Sequence, residues 1–251
     1  MPLVLAMVRE TPASVGLLPF GAATADAAPT ACRGNAAVLA IRTLRRAVRS
    51  PTFWPLAATF FVCGATANGL VGTHLVPACV DAGIGEVRAV GMLAAMGIFD
   101  VLGTTLSGWL TDRHDPRRLL FAFYAIRGTS LLFLPHALGA AGAGLHAFAL
   151  LYGLDWVATV PPTARLAADA FGDEDGPIVF GWLFAVHQVG ASLAAFGGAV
   201  ARTYLGDYRA TFLMAGALCA AADATALLVR RERHVRRGGA ELSAQSTVSM
   251  E

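Results

Sequence analysis

The chain has 251 residues, is 56% hydrophobic and 14% charged, and has a mean hydropathy of +0.59. That balance excludes a soluble domain of ordinary composition and describes an integral membrane protein. The net charge is only +2 and every basic residue is Arg, so a nucleic-acid partner has little to bind.

The opening MPLVLAM is apolar but lacks the basic start and the length of a signal peptide, so residues 1–8 read as the stump of a preceding transmembrane helix. Residues 9–52 read as a cytoplasmic linker. Its end carries Arg42, Arg45, Arg46 and Arg49 in a helix-compatible run suited to an anionic membrane surface. Residues 53–230 form the transmembrane domain, with apolar stretches at about 53–80, 89–110, 118–136, 145–165, 178–201 and 210–229. Each is long enough to cross a bilayer as a helix. The first is longer than a straight crossing needs and holds Pro55 and Pro77, which predicts a tilt or bend.

Pro161 and Pro162 are expected to break the last turn of the fourth stretch, and the acidic segment 167–177 reads as a loop. Gly181, Gly190, Gly197 and Gly198 give the fifth stretch small residues that permit close helix contact. Residues 231–251 read as a cytoplasmic tail. The four Cys (Cys32, Cys63, Cys79, Cys219) show neither metal nor redox spacing and read as small core residues.

With six crossings, both ends lie on one side. Of the 19 Arg, only Arg88, Arg202 and Arg209 fall on the opposite side and only Arg127 falls within a span. The positive-inside rule then puts both termini in the cytoplasm, the expected location being the plasma membrane.

Ionisable groups inside a bilayer are costly, which makes each a candidate for the transport pathway. Asp100 shares a small, polar helical stripe with Gly97, Thr104 and Ser107, and Arg127 lies at nearly the same depth on the next helix. The two read as partners, either as a fixed strut or as a substrate or coupling pair. Asp155 reads either as a proton carrier or as a second partner for Arg127. His187 and Gln188 sit at comparable depth and could bind substrate or join helices; Asn68 and His74 are polar positions of the outer half of the first span. No nucleophile, phosphate loop or metal-ligand spacing accompanies these groups, so no enzyme, cofactor or metal is expected.

The turn between the second and third spans, GWLTDRHDPRRLL, resembles the loop signature of the major facilitator superfamily of secondary transporters. Gly108, Asp112, Arg113, Arg117 and Arg118 match it; Asp115 stands where a second glycine is usual, and one extra residue precedes the basic pair. PASVGLLPFG (residues 12–21), YGLDWVATVPPT (152–163) and AVHQVGAS (185–192) look like bacterial monocarboxylate or oxalate/formate-type transporters. The resemblance implies an all-α membrane fold, the C-terminal six-helix half of a twelve-helix transporter, with the matched loop acting as a gate. It also implies a small-molecule substrate moved by alternating access and a partner in the missing N-terminal half or a second copy. Arg127, a permanent cation at the midplane, predicts that the substrate is a small organic anion of the monocarboxylate type, moved with a proton taken up by Asp155 or Asp100. A non-transporting membrane scaffold, a half-transporter that dimerises, and a membrane-embedded hydrolase are the alternatives.

Overall fold

In the computed structural model, residues 35–140 and 142–229 are described. The helix stump at 1–8, the linker before residue 35 and the tail beyond residue 230 lie outside them. The chain divides into two units, Met1–Ile41 and Arg42–Glu251. All the spans belong to the second unit, and the described part of the first is the opening of the helix that starts at Ala36.

The described residues form helices and no strand. Helix α1 is Ala36–Ala47, α2 is Phe53–Gly64, and a π-helical segment, Ala65–Val71, links α2 to α3, Gly72–Asp81. Then come α4 (Glu86–Thr111), α5 (Pro116–Ala140), α6 (Ala143–Asp155), α7 (Val160–Leu205) and α8 (Arg209–Leu227). Of the Arg-rich run before the first span, Arg42, Arg45 and Arg46 are thus helical, as the spacing predicts, and Arg49 stands in the turn that follows.

Five described stretches are long and apolar enough to cross a bilayer, against six expected. The difference lies in Ala143–Leu205, 63 residues that would extend about 95 Å if straight, some three times the hydrocarbon thickness. The stretch folds back at Gly172, whose φ of 82° and ψ of 174° are non-helical and sterically natural only to glycine. A Cβ on Gly176 would lie 2.8 Å from Cα of Ala168, although eight helical residues should separate the two by about 12 Å. The acidic segment expected as a loop over 167–177 is therefore helical on both sides of a single-residue reversal.

Six crossings result: α2 to α3, α4, α5, α6 to Gly172, the rest of α7, and α8. Their directions follow from which residues meet. Gly64 lies against His187, Gly69 against Ala191 and Gly198 against His74, so positions climb together along spans 1 and 5, which run parallel. Met96 meets Gly153 and Ser107 meets Ala158, so spans 2 and 4 are parallel too. Along span 3, Arg117, Gly128 and Leu132 meet Val229, Cys219 and Gly216, and span 6 therefore runs antiparallel to it. Gly64, Gly103 and Gly190 allow backbone to touch backbone, the close approach that replaces hydrophobic drive between helices in lipid. Ile98, Val101, Leu102, Phe133, Val189, Leu193 and Phe196 are exposed apolar side chains of the spans, as expected of surfaces that meet acyl chains.

The proline pair acts differently from expectation. It does not end the fourth span; the break comes earlier, at 156–159, and Pro161 and Pro162 sit in the first turn of α7. Proline is well accommodated there, because the first amides of a helix have no intrahelical acceptor.

Candidate functional site

The break in span 4 leaves backbone groups without helical partners, and the polar side chains of three neighbouring spans converge on it. Arg127 is completely buried. Its Nε donates to Asp155 Oδ2 at 2.7 Å, and its Nη2 donates to the carbonyls of Asp155 at 2.6 Å and Trp156 at 2.9 Å. Its Nη1 donates to Cys63 Sγ at 3.2 Å, and that sulfur also lies 3.2 Å from Thr159 Oγ1. The rings of Tyr124 and Tyr152 stand 5.7 and 5.9 Å from the guanidinium carbon, within cation–π range.

These tyrosines are themselves anchored by backbone. Tyr124 donates to the carbonyl of Thr59, and Tyr152 donates at 2.9 Å to that of Thr66, within the π-helical segment. Asp155 is 2% exposed, and its second oxygen, Oδ1, meets no hydrogen-bond partner among the described residues. Asp155 thus keeps one oxygen without a partner beside a guanidinium that spends four of its five N–H donors.

Arg127 therefore pairs with Asp155, and the expected pair with Asp100 does not form. Asp100 does lie at the expected depth, but it reaches the same break from the other side: its Oδ1 accepts from the backbone N–H of Val157 at 2.9 Å and from Thr104 Oγ1 at 3.1 Å. Asp100 takes a backbone N–H from the side of span 2 and Arg127 takes two backbone carbonyls from the side of span 3, so the acid and the base are kept apart.

His187 is buried, stacked on Phe184 with ring centroids 5.2 Å apart, and its Nδ1 lies 3.2 Å from Gln188 Oε1. Gln188 and Asn68 are exposed on the outside of the unit. His74 is not near the cluster: its Nε2 lies 2.8 Å from the carbonyl of Ala195 and its Nδ1 3.3 Å from Tyr208 Oη, which ties spans 1 and 5 to the start of span 6.

In the hairpin before α5, Asp112 is exposed and caps the end of α4 through its backbone N–H to Gly108. The ion pair within the hairpin is made by Asp115, whose Oδ1 accepts from the N–H of Arg117 at the start of α5 and whose Oδ2 meets Arg117 Nη2 at 2.7 Å. An acid at a helix N-terminus is favoured by the dipole, which explains why an aspartate suits the position. Arg113 lies over Trp109 at 4.2 Å, Arg118 is exposed, and no neighbour within 4 Å would meet a side chain at Gly108.

Cys63, Tyr124, Tyr152 and Thr159 are site residues that sequence reasoning passed over. Tyr124 and Tyr152 stand one helical turn before Arg127 and Asp155, a spacing that could have flagged them; Cys63 gave no signal.

Comparison with known proteins supplies the remaining context. The profile of the Major Facilitator Superfamily matches residues 2–195 and, in a second match, 92–249. An uncharacterised MFS-type transporter of Bacillus subtilis (strain 168), YcxA, is 32% identical over 146 residues, 55% of this chain and 34% of that protein. Monocarboxylate transporter 12-B of Danio rerio is 30% identical over 171 residues, 66% of this chain and 35% of its own length. Monocarboxylate transporter 13 of Bos taurus is 30% identical over 146 residues, 57% and 34% respectively. The matches thus span about a third of the length of these relatives.

Proposed function

The chain belongs to the Major Facilitator Superfamily, and from that premise we propose that it takes part in moving a small organic anion of the monocarboxylate type across the membrane, together with a proton. The observation that carries this reading is the buried pair of Arg127 and Asp155. The guanidinium is a permanent cation whose donors are shared between a carboxylate and backbone carbonyls. A proton on Asp155 neutralises the carboxylate and loosens its hold, and a substrate carboxylate can then take the vacated Nε–H in a charge-assisted hydrogen bond. Proton and anion thus enter together, and only the loaded or the empty site is free of uncompensated charge.

The names of the vertebrate relatives support the substrate class. Gln188 and Asn68, polar and exposed at membrane depth, support a second six-helix body, either another part of the transporter or a second copy, because lipid is a poor cover for them. Alternating access between two such bodies would then open the site to either side, with the hairpin from Gly108 to Arg118 as a gate, both termini in the cytoplasm and the plasma membrane as the location.

The test is uptake into proteoliposomes in which cross-linking has shown the chain to be paired. A radiolabelled monocarboxylate should accumulate when the outside is acidified, and a neutral solute of the same size should not. Accumulation of the neutral solute, or none of the anion under a proton gradient, refutes the proposal.

A further inference from the structure

The break in span 4 has to be held open. Pro161 and Pro162 have no N–H, so the carbonyls of Val157 and Ala158 lose their usual donors four residues on. Short-range bonds compensate in part, from Trp156 N–H to Gly153, Ala158 N–H to Asp155 and Val160 N–H to Val157. Among the groups they leave are the carbonyl of Trp156, which Arg127 takes, and the N–H of Val157 and the carbonyl of Ala158, both of which are taken by side chains of span 2. Asp100 accepts from Val157 at 2.9 Å, and Ser107, fully buried, donates to Ala158. The two side chains are seven residues apart, two helical turns, and so stand on one face of α4.

We propose that Asp100 and Ser107 are positioning residues, two grips of span 2 on the break in span 4, with Asp100 working there as a hydrogen-bond acceptor. They fix the turn so that the Asp155 carboxylate and the carbonyls of Asp155 and Trp156 face Arg127, while Thr159 stays against Cys63. Their consequence for transport rests on the proposed role of Arg127 and Asp155, but the shape of the break can be read without any transport.

Cys63 is the reporter. It is 2% exposed and lies against Thr159 and Arg127, with His187 of span 5 also on the sulfur, so a maleimide reaches it faster when the break loosens. In the chain carrying C32S, C79A and C219A, labelling of Cys63 is followed in detergent while the melting temperature is recorded. Asp100→Leu and Ser107→Ala, which abolish a grip, should each speed labelling about tenfold, equivalent to about 1.4 kcal/mol and to the loss of one buried hydrogen bond. Asp100→Asn keeps an acceptor and Ser107→Thr keeps a hydroxyl, and both should label at the parent rate. If Asp100→Asn labels as fast as Asp100→Leu, charge and not acceptance is the working property and the inference falls. It falls equally if all four variants label at the parent rate, or if labelling rises only in proportion to a lowered melting temperature. Should Asp100→Leu fail to fold, the comparison of Ser107→Ala with Ser107→Thr, and of Asp100→Asn with the parent, carries the same decision.

Discussion

Replacing Arg127 by Met removes, in one step, the hydrogen bonds to Asp155 Oδ2, to the carbonyls of Asp155 and Trp156 and to Cys63. It also leaves Asp155, only 2% exposed, as a buried carboxylate without its counter-charge. Breaking a buried pair by deleting one member costs about 3–5 kcal/mol. Asp155→Leu strands the guanidinium in turn and should cost a similar amount. The double variant strands neither charge; what remains is the loss at the Trp156 carbonyl, about 1–3 kcal/mol when unpartnered, since the Asp155 carbonyl keeps the N–H of Ala158. The cycle should therefore show a coupling of at least about 2 kcal/mol, with the double variant no less stable than Arg127→Met alone. Reversible unfolding in mixed micelles measures it. The control cycle pairs Arg127→Met with Asp100→Leu, whose side chains share the break but no contact, and should couple by less than about 1 kcal/mol. Coupling of Arg127 to Asp100 as strong as to Asp155 would refute the pairing.

Arg127→Lys keeps the charge but loses the fork, so uptake in the proteoliposome assay should fall by an order of magnitude or more while Asp155 stays paired. Gly103→Val forces a side chain into the carbonyl of Leu154 and should prevent spans 2 and 4 from packing, seen as loss of the monodisperse peak in size exclusion; Gly97→Ala, with nothing within 4 Å, should be silent in the same measurement. Gly172→Ala places a Cβ at φ 82°, which should cost about 1–2 kcal/mol in the unfolding assay and less at Gly97. For orientation, an impermeant thiol reagent applied to intact cells should modify a cysteine at Asp207 and spare one at Asp115; labelling at Asp115 would invert the topology.

The spans were legible because the bilayer imposes a length and a composition that any helix crossing it must show. Six apolar runs in the sequence became six crossings, even where Gly172 is the only non-helical residue between two of them. The depth of the ionisable groups was legible for the same reason: residues per turn convert sequence distance into height, and Asp100 and Arg127 do reach the same level. Pairing was not legible, because it depends on what stands between them. What decides it is where the backbone groups freed by Pro161 and Pro162 find their partners.

Proline pairs in a span announce unsatisfied carbonyls upstream, and within lipid these must be met by side chains from other spans. That reasoning predicts donors near 155–158, and the sequence offers few at that depth, Arg127 and Ser107 among them. Likewise Asp115 looked like a departure from the loop signature, whereas position 115 directly precedes the first turn of α5, where an acid is an N-terminal acceptor. Cys63 stayed hidden for a different reason. A thiol is small and apolar enough to fill a core, and only the arrival of Arg127 Nη1, Thr159 Oγ1 and the His187 ring on one sulfur makes it part of a polar network. Such a role is a property of the neighbours, which come from spans 3, 4 and 5, and no pattern within span 1 encodes it.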